Sequence, residues 1–158
     1  MKIANGIIAV VASAGVAAAG IISVPSASAT AVGKFGSWQR LTDQNGSATT
    51  IAAWAVSQPK PSNDTIPNYP LAGKLYEAIA GYKALQGGGT PIIPNLNART
   101  SDGQNYQVLW QASTPNGISG ASLQQGDSSK GKIYFDVTGA APTQVAYFNG
   151  AQDLIIWQ

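Results

Sequence analysis

Cysteine and histidine are both missing from this 158-residue chain, and its single methionine is the initiator. Without thiols there is no disulfide framework and no thiolate nucleophile. Without imidazole there is no Ser-His-Asp or Cys-His machinery and no zinc site of the usual ligands. Charge is scarce as well, at 10 % of residues with a formal net charge of +2. The nearest approach to a basic cluster is Lys130 with Lys132, too small a patch for nucleic acid or a polybasic membrane contact. Neither a cofactor nor a metal is expected from such a composition. Any catalysis would rest on seven carboxylates, Asp43, Asp64, Glu77, Asp102, Asp127, Asp136 and Asp153.

Hydrophobic residues are unevenly placed. The first 29 residues hold 19 of them, and all 13 aromatics fall later. Met1 and Lys2 precede an apolar, alanine-rich stretch from Ile7 to Val24, and Pro25 and Ser26 lead to Ala27, Ser28 and Ala29. A charged start, an apolar middle and small residues two apart form a secretory signal. The expectation is a signal peptide over 1–29, with Ala27 and Ala29 read by the peptidase and Thr30 as the first mature residue. The run is weakly apolar and no basic stop-transfer cluster follows, which argues against a membrane anchor. The rest, 30–158, is expected to be one secreted, extracellular domain with no membrane contact after cleavage, held by burial and backbone hydrogen bonds alone.

That domain reads as strands and turns. Period-two patterns recur at 32–41, 49–56, 104–111, 132–138, 143–148 and 154–157. Residues 73–85 allow either a helix or a strand. Gly73 and Gly81 weaken the helix, while Tyr76, Ala78, Ala80, Tyr82 and Ala84 line one strand face with Glu77 and Lys83 on the other, which favours a long strand. Loops are expected over 59–70, from Gly87–Gly89 through Pro91 and Pro94 with at most a short edge strand, and from Pro115 to Ser129. The last three strands read as two hairpins, through Gly139–Pro142 and through Asn149 and Gly150. Seven or eight short strands give an all-β, immunoglobulin-like antiparallel β-sandwich, with a closed barrel as the alternative.

The site residues are weighed on their surroundings. Two carboxylates suitably spaced serve glycoside hydrolysis, but Asp43 and Asp102 sit in turn-like contexts and Asp136 should face outward between Phe135 and Val137. Trp54, Trp110 and Trp157 read as core. Trp38, beside Gln39 and Arg40, is expected to be partly exposed and suited to packing at a sheet edge or to stacking on a sugar. No catalytic residue is assigned, and no ligand-binding residue.

Four long stretches carry a resemblance: 66–78 (IPNYPLAGKLYEA), 97–111 (NARTSDGQNYQVLWQ), 131–139 (GKIYFDVTG) and 153–157 (DLIIW). In these the chain resembles the mycobacterial MPT/MPB sixty-three family of immunogenic secreted antigens. The resemblance implies a secreted immunoglobulin-like sandwich recognised by host immunity, and it supplies no catalytic or ligand residues. The expected function is therefore non-enzymatic binding of an unidentified protein or envelope glycan. A carboxylate-based glycan hydrolase at the envelope and a passive envelope-associated protein are the alternatives.

Overall fold

The computed structural model describes residues 29–158. The expected leader, Ala27 included, lies outside the described residues except for Ala29.

Among the described residues, ten strands build two facing sheets. The first contains β1 (Ala31–Gly33), β6 (Leu96–Arg99), β7 (Asn105–Gln107), β9 (Gln144–Phe148) and β10 (Asp153–Trp157), in the order β1-β10-β9-β6-β7. The second contains β2 (Gln39–Asn45), β3 (Ala48–Val56), β4 (Lys60–Pro61), β5 (Lys74–Gln86) and β8 (Ser128–Val137). There β2 pairs β3, β3 pairs β5, and β5 also carries β4 and β8. All pairings are antiparallel except β1 with β10, which is parallel. The fold is the expected β-sandwich, with ten strands in place of seven or eight.

The centre is β5. Ala78, Ala80, Tyr82 and Ala84 face the core, while Glu77 and Lys83 alternate onto the outer face, so the strand reading of this ambiguous stretch is correct. Small inner residues on β5 leave room for large rings alongside. Trp54 of β3 stands edge-on to Tyr82 with centroids 5.0 Å apart, and 5.6 Å from Tyr147 of the opposite sheet. This aromatic group joins the two layers. Trp157, Phe135, Leu96, Ile155, Val56 and Val145 fill the remaining interior, all fully buried. The Trp157 indole donates to the Ser37 carbonyl at 2.9 Å.

Three expectations fail locally. Residues 32–41 are two strands in different sheets, because a turn at Lys34–Ser37 redirects the chain. Gly36 adopts φ 84° there and donates to Val56. Gly139–Pro142 is a crossing between sheets, and no hairpin forms there, since β8 pairs β5 over ten residues while β9 pairs β6 and β10. Tyr106 pins the crossing by donating to the Ala140 carbonyl at 2.9 Å. The hairpin expected at Asn149 and Gly150 does form between β9 and β10. Finally, where the sequence allows at most a short edge strand, β6 follows a 3-10 turn at Ile93–Asn95 and is paired on both sides, by β7 and β9.

Candidate functional site

The outer face of the second sheet carries the densest grouping of charged and aromatic side chains. Register on β5 and β8 sets Glu77 opposite Tyr134 and Ile79 opposite Lys132, so Glu77, Lys132 and Tyr134 share that face. The loop after β4 brings Ser62 and Asp64 against them. Lys132 Nζ lies 2.7 Å from Asp64 Oδ2 and 3.0 Å from Glu77 Oε2. Tyr134 donates to the same Asp64 oxygen at 2.6 Å, and Ser62 donates to Glu77.

Each member's protonation follows from these contacts. The bond to Lys132, then that to Tyr134, holds the Asp64 carboxyl below its usual range. Burial works against ionisation of Glu77, but the Ser62 and Lys132 bonds outweigh it and the net shift is downward. The bond to Asp64, then that to Glu77, raises the Lys132 ammonium above its ordinary value. Burial, reinforced by Asp64, raises Tyr134. Both carboxylate oxygens lie within 3.0 Å of one nitrogen, so they are less than about 6 Å apart, within reach of the spacing of a retaining glycosidase. Such an enzyme also needs one carboxyl held protonated near neutrality. Here both are held ionised and joined by a cation. A cavity lined by Lys132 and Tyr134, but by neither carboxylate, is about 40 Å³, too small for a sugar ring.

The other carboxylates, Asp43 apart, hold the fold. Asp136 faces outward and accepts from the backbone of Ala72 and Gly73 at 2.8 and 2.7 Å. Asp102 takes the Thr100 hydroxyl within its turn, Asp127 accepts from Gln124, and Asp43 lies exposed on β2. Asp153 binds Arg99 through two bonds of 2.6 and 2.8 Å. No group of three acidic side chains able to hold a metal occurs among the described residues.

Farther along the same face lies Trp38, 45 % exposed. Its indole rests on the backbone of β5 at Gly81, where an added Cβ would come within 2.9 Å of the ring. Lys83 Nζ sits 4.1 Å from the ring centroid. Register places Arg40 across Ala53 from Lys83, and Lys130 opposite Gly81. Arg40, Lys83 and Lys130 form no ion pair among the described residues. Beside the indole is a depression of about 360 Å³, floored by Ala55, Val56, Ile79 and Gly81 with Lys130 at its edge.

Trp110 departs from expectation. It is 52 % exposed, whereas Trp54 and Trp157 are fully buried as expected. Strand pairing lapses after Val108, and a turn closed by the Ala112 to Leu109 bond swings the indole outward. Leu109 is buried there instead, with Ile66, Leu75 and Tyr134. The polar segment from Gln111 to Gly117 was the available sign that the strand stops. The Lys132 cluster had no sequence signal, because its members come from three separate segments.

Comparison with known proteins agrees with this architecture. The model of a domain of unknown function, DUF1942, matches residues 30–157. Immunogenic protein MPB63 of Mycobacterium bovis and immunogenic protein MPT63 of Mycobacterium tuberculosis are each 47 % identical over 160 aligned residues, covering all of this chain and 99 % of theirs. The crystal structure of the secreted protein MPT63 from Mycobacterium tuberculosis aligns with a TM-score of 0.79 at 49 % identity, covering 84 % of this chain and 99 % of that one. The chain is a secreted β-sandwich protein and belongs to the DUF1942 family, alongside these mycobacterial immunogenic proteins.

Proposed function

We propose that the protein is a non-enzymatic extracellular binding module for an acidic glycan of the cell envelope or host surface. One observation carries this reading: Trp38 lies half exposed on Gly81, among three cations that lack carboxylate partners. An indole offers a flat apolar surface to the C–H face of a sugar ring. Lys83 over the ring, with Arg40 and Lys130 to either side, offers positive charge to carboxylate or sulfate groups on that sugar. In a domain whose side chains sum to only one net positive charge from residue 30 onward, this local excess is a directed feature. The ion-locked Asp64 and Glu77 support a role without chemistry. The immunogenic naming of the relatives describes a host response and is compatible with any surface role.

The test is calorimetric titration of the secreted chain with a sulfated hexasaccharide, a uronic-acid hexasaccharide and their neutral counterparts. Saturable binding of the acidic probes is expected, weakened ~10-fold by Trp38→Ala and by Lys83→Ala. Absence of binding to either acidic probe would leave the passive envelope role as the better account.

A further inference from the structure

The outer face of the first sheet differs from that of the second in having almost no free charge. Asn97 and Arg99 of β6 stand opposite Gln107 and Asn105 of β7, and these four side chains point away from the core, which takes Leu96, Ala98 and Tyr106. They form an ordered polar row. Asp153 fixes the Arg99 guanidinium by its two bonds, and Arg99 Nε donates to Asn105 Oδ1 at 2.9 Å. Asn105 in turn donates to Asn97 Oδ1 at 3.1 Å, and Asn97 donates to the Asn95 carbonyl at 3.0 Å. Each donation sets the orientation of the next amide. Asn97 is itself buried, while the exposed Asn105 and Gln107 amides keep unused hydrogen-bonding capacity, and the Gln107 amide makes no hydrogen bond among the described residues.

This row borders a depression of about 500 Å³ whose far wall is Phe148, with the Arg99 guanidinium 6.0 Å from the ring centroid. A second depression of similar size, about 500 Å³, lies next to it and shares Pro94 as a wall. Its sides are Trp110, Pro91, Ile93 and Ile118, with Gln111 and Ser119 among its polar lining. Among the described residues no charged side chain lines the second depression, and the only charge in the first, Arg99, is neutralised by Asp153.

We infer that the two depressions form one extended groove for a neutral oligosaccharide, with Trp110 and Phe148 as stacking surfaces at its two ends and the amide row between them. The chemistry selects the ligand class. A sugar hydroxyl both donates and accepts, and so does a primary amide, so an uncharged amide row matches vicinal hydroxyls without desolvating any unpaired charge. Aromatic faces cover the C–H surfaces of the rings. The combined volume suits several hexose units. An acidic saccharide would meet no free cation here, which distinguishes this groove from the Trp38 face and makes the inference independent of the proposed function.

The experiment is an NMR titration of the ¹⁵N-labelled secreted chain with maltohexaose, mannohexaose and cellohexaose, and separately with an uncharged decapeptide. At least one neutral hexasaccharide is expected to give saturable shifts at the Trp110 indole N–H and at the side-chain amides of Asn97, Asn105 and Gln107. The Trp38 indole N–H should stay in place. Trp110→Ala and Gln107→Ala should each weaken that binding ~10-fold. Both residues are exposed, so unchanged melting curves will show that the fold is kept. Trp38→Ala should leave neutral-sugar affinity unchanged. The inference is overturned by silence of all three saccharides, by shifts with the decapeptide alone, or by undiminished affinity in both groove variants.

Discussion

Gly81 and Gly131 both leave no room for a side chain, but what would crowd each of them differs. A Cβ on Gly81 would meet the Trp38 ring at 2.9 Å, while a Cβ on Gly131 would lie 2.5 Å from the Ile118 backbone nitrogen. A surface indole can tilt, whereas backbone can give way only by shifting a segment. Gly81→Ala should therefore lower Tm little yet weaken acidic-glycan binding through the displaced platform. Gly131→Ala should lose about 1–3 kcal/mol of stability, the usual range for overpacking. Thermal melts and titrations on both variants check the contrast, which fails if Gly81→Ala proves the more destabilising. The Lys132 cluster gives a second prediction at this scale. Asp64 and Glu77 are both depressed, so their contribution is complete above their unfolded values near pH 4 and is lost as pH falls through the lower folded values. Lys132 is raised, so its contribution persists up to its unfolded value near pH 10.4 and fades only above that. Asp64→Asn should be less stable than wild type at pH 7, and the gap should narrow between pH 4 and pH 2. Parallel Tm curves across that range would refute the assignment.

At the scale of elements, β10 carries more than its five residues suggest. It pairs β9 on one side and β1 on the other, and its Trp157 is fully buried while donating to the Ser37 carbonyl in the β1–β2 link. Trp157→Ala should cost about 3–5 kcal/mol, from the lost burial and the cavity left behind. The same change at Trp110, half exposed, should cost under about 1 kcal/mol. Urea unfolding of the two variants measures this difference, and near-equal losses would contradict the structure. The contrast also marks how far the sequence is legible. Alternation within a strand is a local property, so the two faces of β5, the β9–β10 hairpin and the burial of Trp54 and Trp157 all follow from pattern. Choice of sheet is decided by tertiary pairing. The turn at Gly36 that splits β1 from β2, and the crossing at Gly139–Pro142, resemble ordinary strand and hairpin signals until the partners of β8 and β9 are known. Trp110 misleads because an apolar run continues for two residues past the last ladder pair. Of the candidate surfaces, Trp38 was legible from its polar neighbours. The Lys132 cluster and the amide row depend on contacts between distant segments.

For the whole molecule, the sandwich separates two surfaces of different chemistry by a core rich in rings. The Trp38 face holds three cations without carboxylate partners, whereas the Trp110–Phe148 groove holds one cation, bound by two hydrogen bonds to Asp153. Interior packing of this kind transmits little when neither site requires strands to move, and the strands beside each site, β5 and β8 at Trp38 and β6 and β7 at the amide row, are already paired. Occupancy of one face should thus leave affinity at the other unchanged within about twofold, a coupling below about 0.5 kcal/mol. The two should still differ in response to ionic strength. Raising salt from 50 to 500 mM shortens the screening length from about 14 to about 4 Å, so acidic-glycan affinity at Trp38 should fall ~10-fold or more. Neutral-oligosaccharide affinity at Trp110 should hold within about twofold, because its contacts carry no net charge. Competition titrations at the two salt concentrations, with Trp38→Ala and Trp110→Ala as single-face controls, measure both quantities. Equal salt sensitivity at the two faces, or mutual exclusion of the two ligands, would mean that the saccharides share one surface and that the separation inferred from the charge distribution is wrong.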